Sequence, residues 1–291
     1  MFRFKVKQKV FEIGPIKFGG NRGENPVVLI GGIFYEGHKI VEDEKRGVFD
    51  KEAAERLVNM QDELSDKTGI PAILDVIGFS EEAIRRYMDF IADITDKPFL
   101  IDSSNPQVRI AAIRYAREVG LERRVIYNSI AAEFSKDIEF EVIKETGISS
   151  AIILAYTRNT VSSKARIEVI KKLLPKVEKA GITKPLIDTF VIDIPSLSAA
   201  CRAAIEVKSR LGLPCGCGAH NAVATWVGIK RLFGKEGRKA AIVAANIMPI
   251  ILCSDFVLYG PIEDCRFVFP AAYAVESAYK YSYRLRDFLE I

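Results

Sequence analysis

Short, wholly apolar runs alternate along the chain with longer stretches of helical periodicity. Val27-Val28-Leu29-Ile30 is the first such run, and others are centred near Ile73, Leu100, Val125, Ile152, Leu186, Cys215 and Val257. Continuous apolar runs are what strands buried on both faces require, as in a parallel sheet. Between them the spacing predicts helices. The first runs from about Lys51 to Thr68, with Ala53, Ala54, Leu57, Val58, Gln61 and Leu64 on one face behind an Asp50 cap. Others follow near 80–95, 106–119, 136–147, 162–180, 196–211, 222–233, 237–250 and from about 265 towards 289. Eight strands, each followed by helix, predict an α/β chain folded as a (β/α)8 TIM barrel. A doubly wound open sheet is the other arrangement, but the Gly-x-Gly-x-x-Gly it needs after the first strand is missing. Ahead of the first strand, Phe2 to Phe11 alternates, Gly14-Pro15 marks a turn and Ile16 to Phe18 is short and apolar, which predicts a β-hairpin lid. No linker or low-complexity segment interrupts the pattern, so residues 1–291 are expected to form a single domain.

Two of the apolar runs end the same way. Lys97-Pro98-Phe99-Leu100-Ile101 stops at Asp102-Ser103, and Lys184-Pro185-Leu186-Ile187 stops at Asp188-Thr189. A helix follows each. Asp at such a turn routinely caps the next helix, and Ser103 or Thr189 is available to do so instead. In a parallel α/β fold the C-terminal ends of the strands are where ligands bind. Two acids at matching strand ends therefore predict two carboxylates facing one mouth. The remaining strand ends add Tyr127-Asn128-Ser129 and Gly216-Cys217-Gly218-Ala219-His220-Asn221. No Lys or Arg ends a strand, which argues against a phosphorylated substrate, and no nucleophile elbow is present. Acids and amides together suit a flat neutral heterocycle with several N–H donors, such as a pterin, since a carboxylate takes two N–H bonds side by side.

Composition narrows the class. The 42 basic and 38 acidic residues nearly balance, at a net charge of +4, and are scattered, so no nucleic-acid partner is expected. No apolar run reaches the length of a membrane span, and the N-terminus lacks a signal-like apolar core. Five cysteines do not suggest a disulfide framework. A cytoplasmic protein is expected, associated with a membrane only through a larger complex. Cys215-x-Cys217-x-x-His220 has the look of a metal motif but lacks a full ligand set, and buried cysteines are more often small hydrophobes. No directly bound metal is expected. The charged loop Glu36 to Gly47 reads as a solvated surface loop or as a flap that meets a partner, with His38 facing solvent. Tyr273, Tyr279, Tyr281, Tyr283 and Phe288 on the last helix read as packing or as a dimer contact.

The strand-end segments, from Gly31-Gly32-Ile33-Phe34-Tyr35 through Asp255-Phe256-Val257-Leu258-Tyr259-Gly260-Pro261-Ile262-Glu263, resemble the pterin-binding, corrinoid-dependent methyltransferases. Among these they are most similar to the H-subunit family of tetrahydromethanopterin S-methyltransferase. The resemblance spans about residues 16–275. It implies a barrel that moves a methyl group between N5 of a reduced pterin and the cobalt of a corrinoid carried by a partner protein. It implies ring binding by Asp102, Asn128 and Asp188, with Ser103, Ser129 and Gly218 beside them, and Asn221 near N5 as the catalytic group. The pterin would be methyl-tetrahydromethanopterin or methyl-tetrahydrofolate, and the chain a homodimer. Three features depart from the pattern: His220 stands where folate-type relatives have Ser, Phe190-Val191-Ile192-Asp193-Ile194 replaces a small-residue loop, and the chain is shorter than that family's. Two other readings are a non-catalytic docking component and a dihydropteroate synthase-like enzyme. The latter family uses a strand-seven Lys and an Arg after strand eight, where this chain has Cys217–Asn221 and Tyr259–Pro261.

Overall fold

A computed structural model describes residues 2–286 and 289–290; Phe288 lies outside the described residues. Eight parallel strands close a barrel in strict chain order. They are β1 Val28–Ile33, β2 Ala72–Ile77, β3 Phe99–Asp102, β4 Val125–Ala131, β5 Ser150–Leu154, β6 Lys184–Asp188, β7 Cys215–Cys217 and β8 Phe256–Pro261. The helices α1 Lys51–Thr68, α2 Glu81–Ile94, α3 Pro106–Glu118, α4 Asp137–Thr146, α5 Ser163–Lys179, α6 Ile194–Leu211, α7 Val227–Ile251 and α8 Cys265–Leu285 lie between and after them. The alternation therefore produced the TIM barrel that it predicts. A single turn, Asn221–Ala224, precedes α7, and the two helices expected near 222–233 and 237–250 meet within α7 at a break at Gly234 (φ 67°, ψ −166°). That conformation is open essentially to glycine alone.

Side chains alternate between the two faces of a strand, and this period of two stacks the barrel interior in layers. Ile30, Ile73, Leu100, Ile126, Ile152, Leu186, Phe256 and Leu258 form one buried cluster inside it. Ile13, Ile16 and Phe18 of the N-terminal hairpin complete that cluster. The hairpin, Val10–Ile13 paired with Ile16–Gly19, packs at the N-terminal ends of the strands. Gly14 lies against Pro98, just ahead of β3, and Lys184 at the start of β6 donates to the Glu12 carbonyl at 2.7 Å. So the hairpin is a plug at the bottom of the barrel and not a lid over the mouth. Its apolar side chains have nowhere else to be buried. Below them Lys208 donates to both oxygens of Asp255 at 2.7 and 2.9 Å in a buried pair, and Asp255 accepts the Cys215 N–H at 2.9 Å.

The caps decide what the strand-end acids are free to do. The α3 cap is Asn105, whose side chain accepts from the Gln107 N–H, and the α6 cap is Asp193, which accepts from the Ser196 N–H. Neither Asp102 nor Asp188 is spent as a cap, nor is Ser103 or Thr189. The chain runs on for three to five residues after each acid before its helix begins, and the capping residue belongs to that connection.

Candidate active site

Two residues beyond the apolar layer, on the same inward phase, stand Asp75 after Ile73, Asp102 after Leu100, Asn128 after Ile126 and Asp188 after Leu186. Asp102 lies beside Asn128 in the β3–β4 register. These four line a cavity of about 600 Å³ at the C-terminal mouth of the barrel, together with Ser129, Gly218, His220 and Asn221. Ser103 is not among the lining residues. It is buried behind them, where its carbonyl accepts from Arg109 and its hydroxyl accepts the Asn105 N–H. Sequence reading missed Asp75. The signal was there, a lone acid inside the run Ala72-Ile73-Leu74-Asp75-Val76-Ile77, on the phase of the barrel interior.

Glycines make room at the β7 and β8 ends. Gly260 has φ +101°, and a Cβ there would meet His220 at 2.9 Å. A Cβ on Gly218 would sit 3.2 Å from the Asn221 amide nitrogen. Asn221 in turn donates from Nδ2 to the Val191 carbonyl at 3.1 Å. His220 Nδ1 lies 3.1 Å from the Leu258 carbonyl, so that nitrogen carries the proton and Nε2 keeps its lone pair. Burial holds the His220 pKa below its ordinary value, so the ring is neutral.

Three carboxyls share this floor. Burial raises Asp75 well above its usual range, and the charges of Asp102 and Asp188 push it the same way. Burial also raises Asp102, to about 6, against the pull of the Arg109 guanidinium. Asp188 is raised to about 6 by burial, opposed by the Phe190 N–H that its Oδ1 accepts at 2.7 Å and by Arg166. Behind Asp102, Arg109 pairs with Glu139 at 2.7 Å and donates to the Tyr127 hydroxyl at 3.0 Å, a buried network that fixes the β3 and β4 ends. Such a floor is acceptor-rich and short of cations. It favours a ligand that brings its own N–H donors.

A second polar group stands at the rim, between the β1 and β8 ends. His38 is buried, not solvent-facing. Its Nδ1 accepts the Phe34 N–H at 3.0 Å, its Nε2 lies 3.2 Å from Glu263, and its ring stacks on Tyr35 at 4.2 Å. The Tyr35 hydroxyl donates to Glu263 at 3.2 and 3.3 Å. Burial pushes the Glu263 carboxyl up, but these bonds, that from His38 first, outweigh it and hold the group below its ordinary pKa. The loop that carries His38 is anchored by Phe49, which packs edge-on against Phe34, Tyr87 and Phe90. Cys215 and Cys217 point away from the cavity into the helix layer, where the Cys215 thiol faces the Ala204 carbonyl at 3.6 Å, while His220 is on the cavity side. The Cys-x-Cys-x-x-His spacing therefore does not converge on one point. Among the described residues no group of three metal-ligating side chains converges either.

A barrel with an acid–amide floor and a glycine-lined amide at strand seven defines the class: a (β/α)8 protein with one deep polar site at its C-terminal mouth. Solved dihydropteroate synthases share this fold at low identity. That of Coxiella burnetii, in complex with pteroic acid, superposes with a TM-score of 0.59 at 15% identity over 88% of this chain and 94% of that one. That of Yersinia pestis gives 0.61 at 14% over 92% and 98%. Within the class the chain belongs to the tetrahydromethanopterin S-methyltransferase MtrH subunit family, whose model matches residues 6–291. It is 44% identical over 285 residues to the H-subunit of tetrahydromethanopterin S-methyltransferase from Methanothermobacter marburgensis, covering 93% of this chain and 91% of that one. The counterpart from Methanopyrus kandleri is 40% identical over 299 residues, covering 95% and 92%. Among the described residues no helix is long and apolar enough to cross a membrane.

Proposed function

We propose that this chain moves a methyl group between N5 of a reduced pterin, of the tetrahydromethanopterin type that its relatives' names carry, and the cobalt of a corrinoid held by a partner protein. The observation that supports this most is the gathering of Asp102, Asn128 and Asp188 on the floor of one cavity with Asn221 on its wall. The carboxylates suit the N–H donors of a 2-amino-pyrimidinone edge. The volume of about 600 Å³ is ample for a bicyclic ring and open at the top for a second reactant.

In the transfer, the reduced cobalt is a substrate that attacks the N5 methyl in line. The Co–C bond forms with the cobalt's electron pair as the C–N bond breaks, the C–N pair stays on N5, and N5 takes up a proton from solvent. Unprotonated, N5 would depart as an anion and leave poorly unless a hydrogen bond or proton reaches it as that pair develops. Asn221 supplies such a bond: one N–H is tied to Val191, and the other N–H and the oxygen remain for the ligand. A donor that bonds the leaving nitrogen better in the transition state than in the ground state accelerates the step.

A partner must cover the mouth for the two reactants to meet. The segment between the cavity-lining residues Ala224 and Arg238 exposes Trp226, Val227, Leu232 and Phe233 beside Lys230, Arg231 and Lys235, a surface suited to that contact. On α8, Tyr279 is buried and bonds the Ile251 carbonyl, while Tyr273 and Tyr281 are exposed and are the proposed homodimer surface. Light scattering at micromolar concentration reads the dimer.

The decisive experiment adds N5-methyltetrahydromethanopterin to the protein with cob(I)alamin and follows loss of the cob(I)alamin spectrum. Stoichiometric loss supports the proposal. Tight pterin binding with no methylation, even with the partner corrinoid protein present, would replace it with a docking role.

A further inference from the structure

Asp75 belongs to no strand-end motif, yet its side-chain hydrogen bond to Asn128 has a consequence for the ligand. It leaves β2 on the inner face of the barrel, and Asn128 leaves β4 two strands away, with β3 between them. Asp75 Oδ1 nonetheless accepts the Asn128 Nδ2–H at 3.1 Å, across the barrel floor. Asp75 is 6% exposed and Asn128 8%, and both line the cavity.

A primary amide has a donor end and an acceptor end of nearly the same shape, so its neighbours decide which way it faces. Asp75 meets Asn128 through an acceptor oxygen, and that contact takes the NH2 end of the amide. The amide oxygen is bonded to no other described residue and is not among the buried atoms left unpaired, so it is open to the cavity. If the amide turned over, Asn128 would present the opposite hydrogen-bonding sense to whatever sits there.

We infer that Asp75 is a positioning residue: by holding the amide nitrogen of Asn128 it turns the amide oxygen toward the ligand, so that Asn128 accepts an N–H from the bound ring. The inference rests on the cavity being a pterin site and assigns the sense of one hydrogen bond within it. Packing alone does not explain an acid at this position. A third carboxyl beside Asp102 and Asp188 adds like-charge repulsion to the cost of burial. An asparagine in its place would fit the space without that cost.

The test is a double-mutant cycle read by equilibrium binding of N5-methyltetrahydromethanopterin, with thermal unfolding recorded for each protein. The four proteins are the wild type, Asp75→Ala, Asn128→Ala and the double variant. A residue that acts only through Asn128 has nothing left to do once that side chain is gone. Asp75→Ala is expected to weaken binding about tenfold in the wild-type background and less than about twofold in the Asn128→Ala background. Asp75→Asn, which preserves volume should the alanine variant fail to fold, is expected to show the same pattern with a loss of about three- to tenfold. Equal losses in both backgrounds would overturn the inference, since Asp75 would then contact the ligand itself or act on the fold at large. No loss in the wild-type background would overturn it too. A wild-type protein that binds no pterin is a separate result that removes the functional reading first.

Discussion

The side-chain nitrogen of Asn221 donates to the Val191 carbonyl at 3.1 Å and so ties the end of β7 to the loop after β6. Asp188, by contrast, stands on the floor one strand away, its Oδ1 held by the Phe190 N–H. The two residues are expected to fail differently. A floor contact exists before and during transfer, so Asp188→Ala is expected to weaken pterin binding by about 1.5–3 kcal/mol, as for a hydrogen bond to a charged group. Asn221→Ala is expected to lower the rate of a single methyl transfer roughly ten- to a thousand-fold with little change in affinity. Equilibrium binding beside single-turnover methylation of cob(I)alamin separates the two, and equal loss of binding and rate in Asn221→Ala would make it only a ring binder.

Pterin affinity is expected to depend on pH through the floor. Asp102 and Asp188 both titrate near 6 in the empty protein because burial penalises their charge. N–H donors from a ligand favour the ionised form, so binding below that pH must release protons. Affinity is expected to be full above about pH 7 and to fall as pH drops through 6, by up to about tenfold per unit for each carboxyl that has to ionise. Titration calorimetry at pH 6 in two buffers of different ionisation enthalpy reads the proton release directly, and identical heats in the two buffers would contradict it.

The same carboxyls cost stability in the absence of ligand. The Asp188 pKa is raised from 3.8 to about 6 on folding. A group raised in this way favours the folded state fully below its unfolded value, and that contribution is lost as pH rises through the folded value. Asp188→Asn keeps an acceptor for the Phe190 N–H and removes the charge. It is expected to stabilise the empty protein above pH 7 by about 1–3 kcal/mol, with no gain near pH 4, while weakening pterin binding. Thermal unfolding at the two pH values tests this; an equal gain at both would mean the effect is not electrostatic.

His38 is expected to matter for stability first. Phe34 has φ +63°, a conformation that side chains rarely adopt, and its N–H is satisfied by His38 Nδ1. Losing that acceptor leaves a buried donor unpaired. His38→Ala is expected to destabilise the protein by about 1–3 kcal/mol, and His38→Asn, whose side chain can still accept, by less. Denaturant unfolding of both variants distinguishes them.

Docking can be separated from chemistry at the rim. Val227 is 91% exposed and Phe233 64%. A double change to Ser removes mostly solvent-exposed apolar surface, Phe233 resting beside Gly237, so melting is expected to stay within about 1 kcal/mol of wild type. Methylation of free cob(I)alamin is expected to be unchanged, while transfer to a protein-bound corrinoid slows at least about tenfold. Equal rates with the protein-bound acceptor would place the partner elsewhere.

The barrel was legible in the order of apolar runs, because a strand covered on both faces leaves a pattern that only βα alternation reproduces, here eight times. Asp102 and Asp188 were legible because each stops an apolar run at the end of its strand, which fixes the mouth it faces; Asn128, inside β4, and Asn221, four residues past β7, were singled out by the family resemblance. Three things were decided only by the closed structure. Whether Asp102 and Asp188 cap helices depended on where α3 and α6 begin, and Asn105 and Asp193 took that role. Asp75 looked like one more strand residue until barrel closure carried its side chain past β3 to Asn128, a contact between positions 53 residues apart. His38, surrounded in sequence by charge, is buried because Tyr35 stacks on it and Glu263 reaches it from the other end of the chain. A strand's inward phase is local and can be read from its own residues. Which inward side chains meet across the barrel is set by the order and register of strands far apart in sequence, and only the folded chain supplies that.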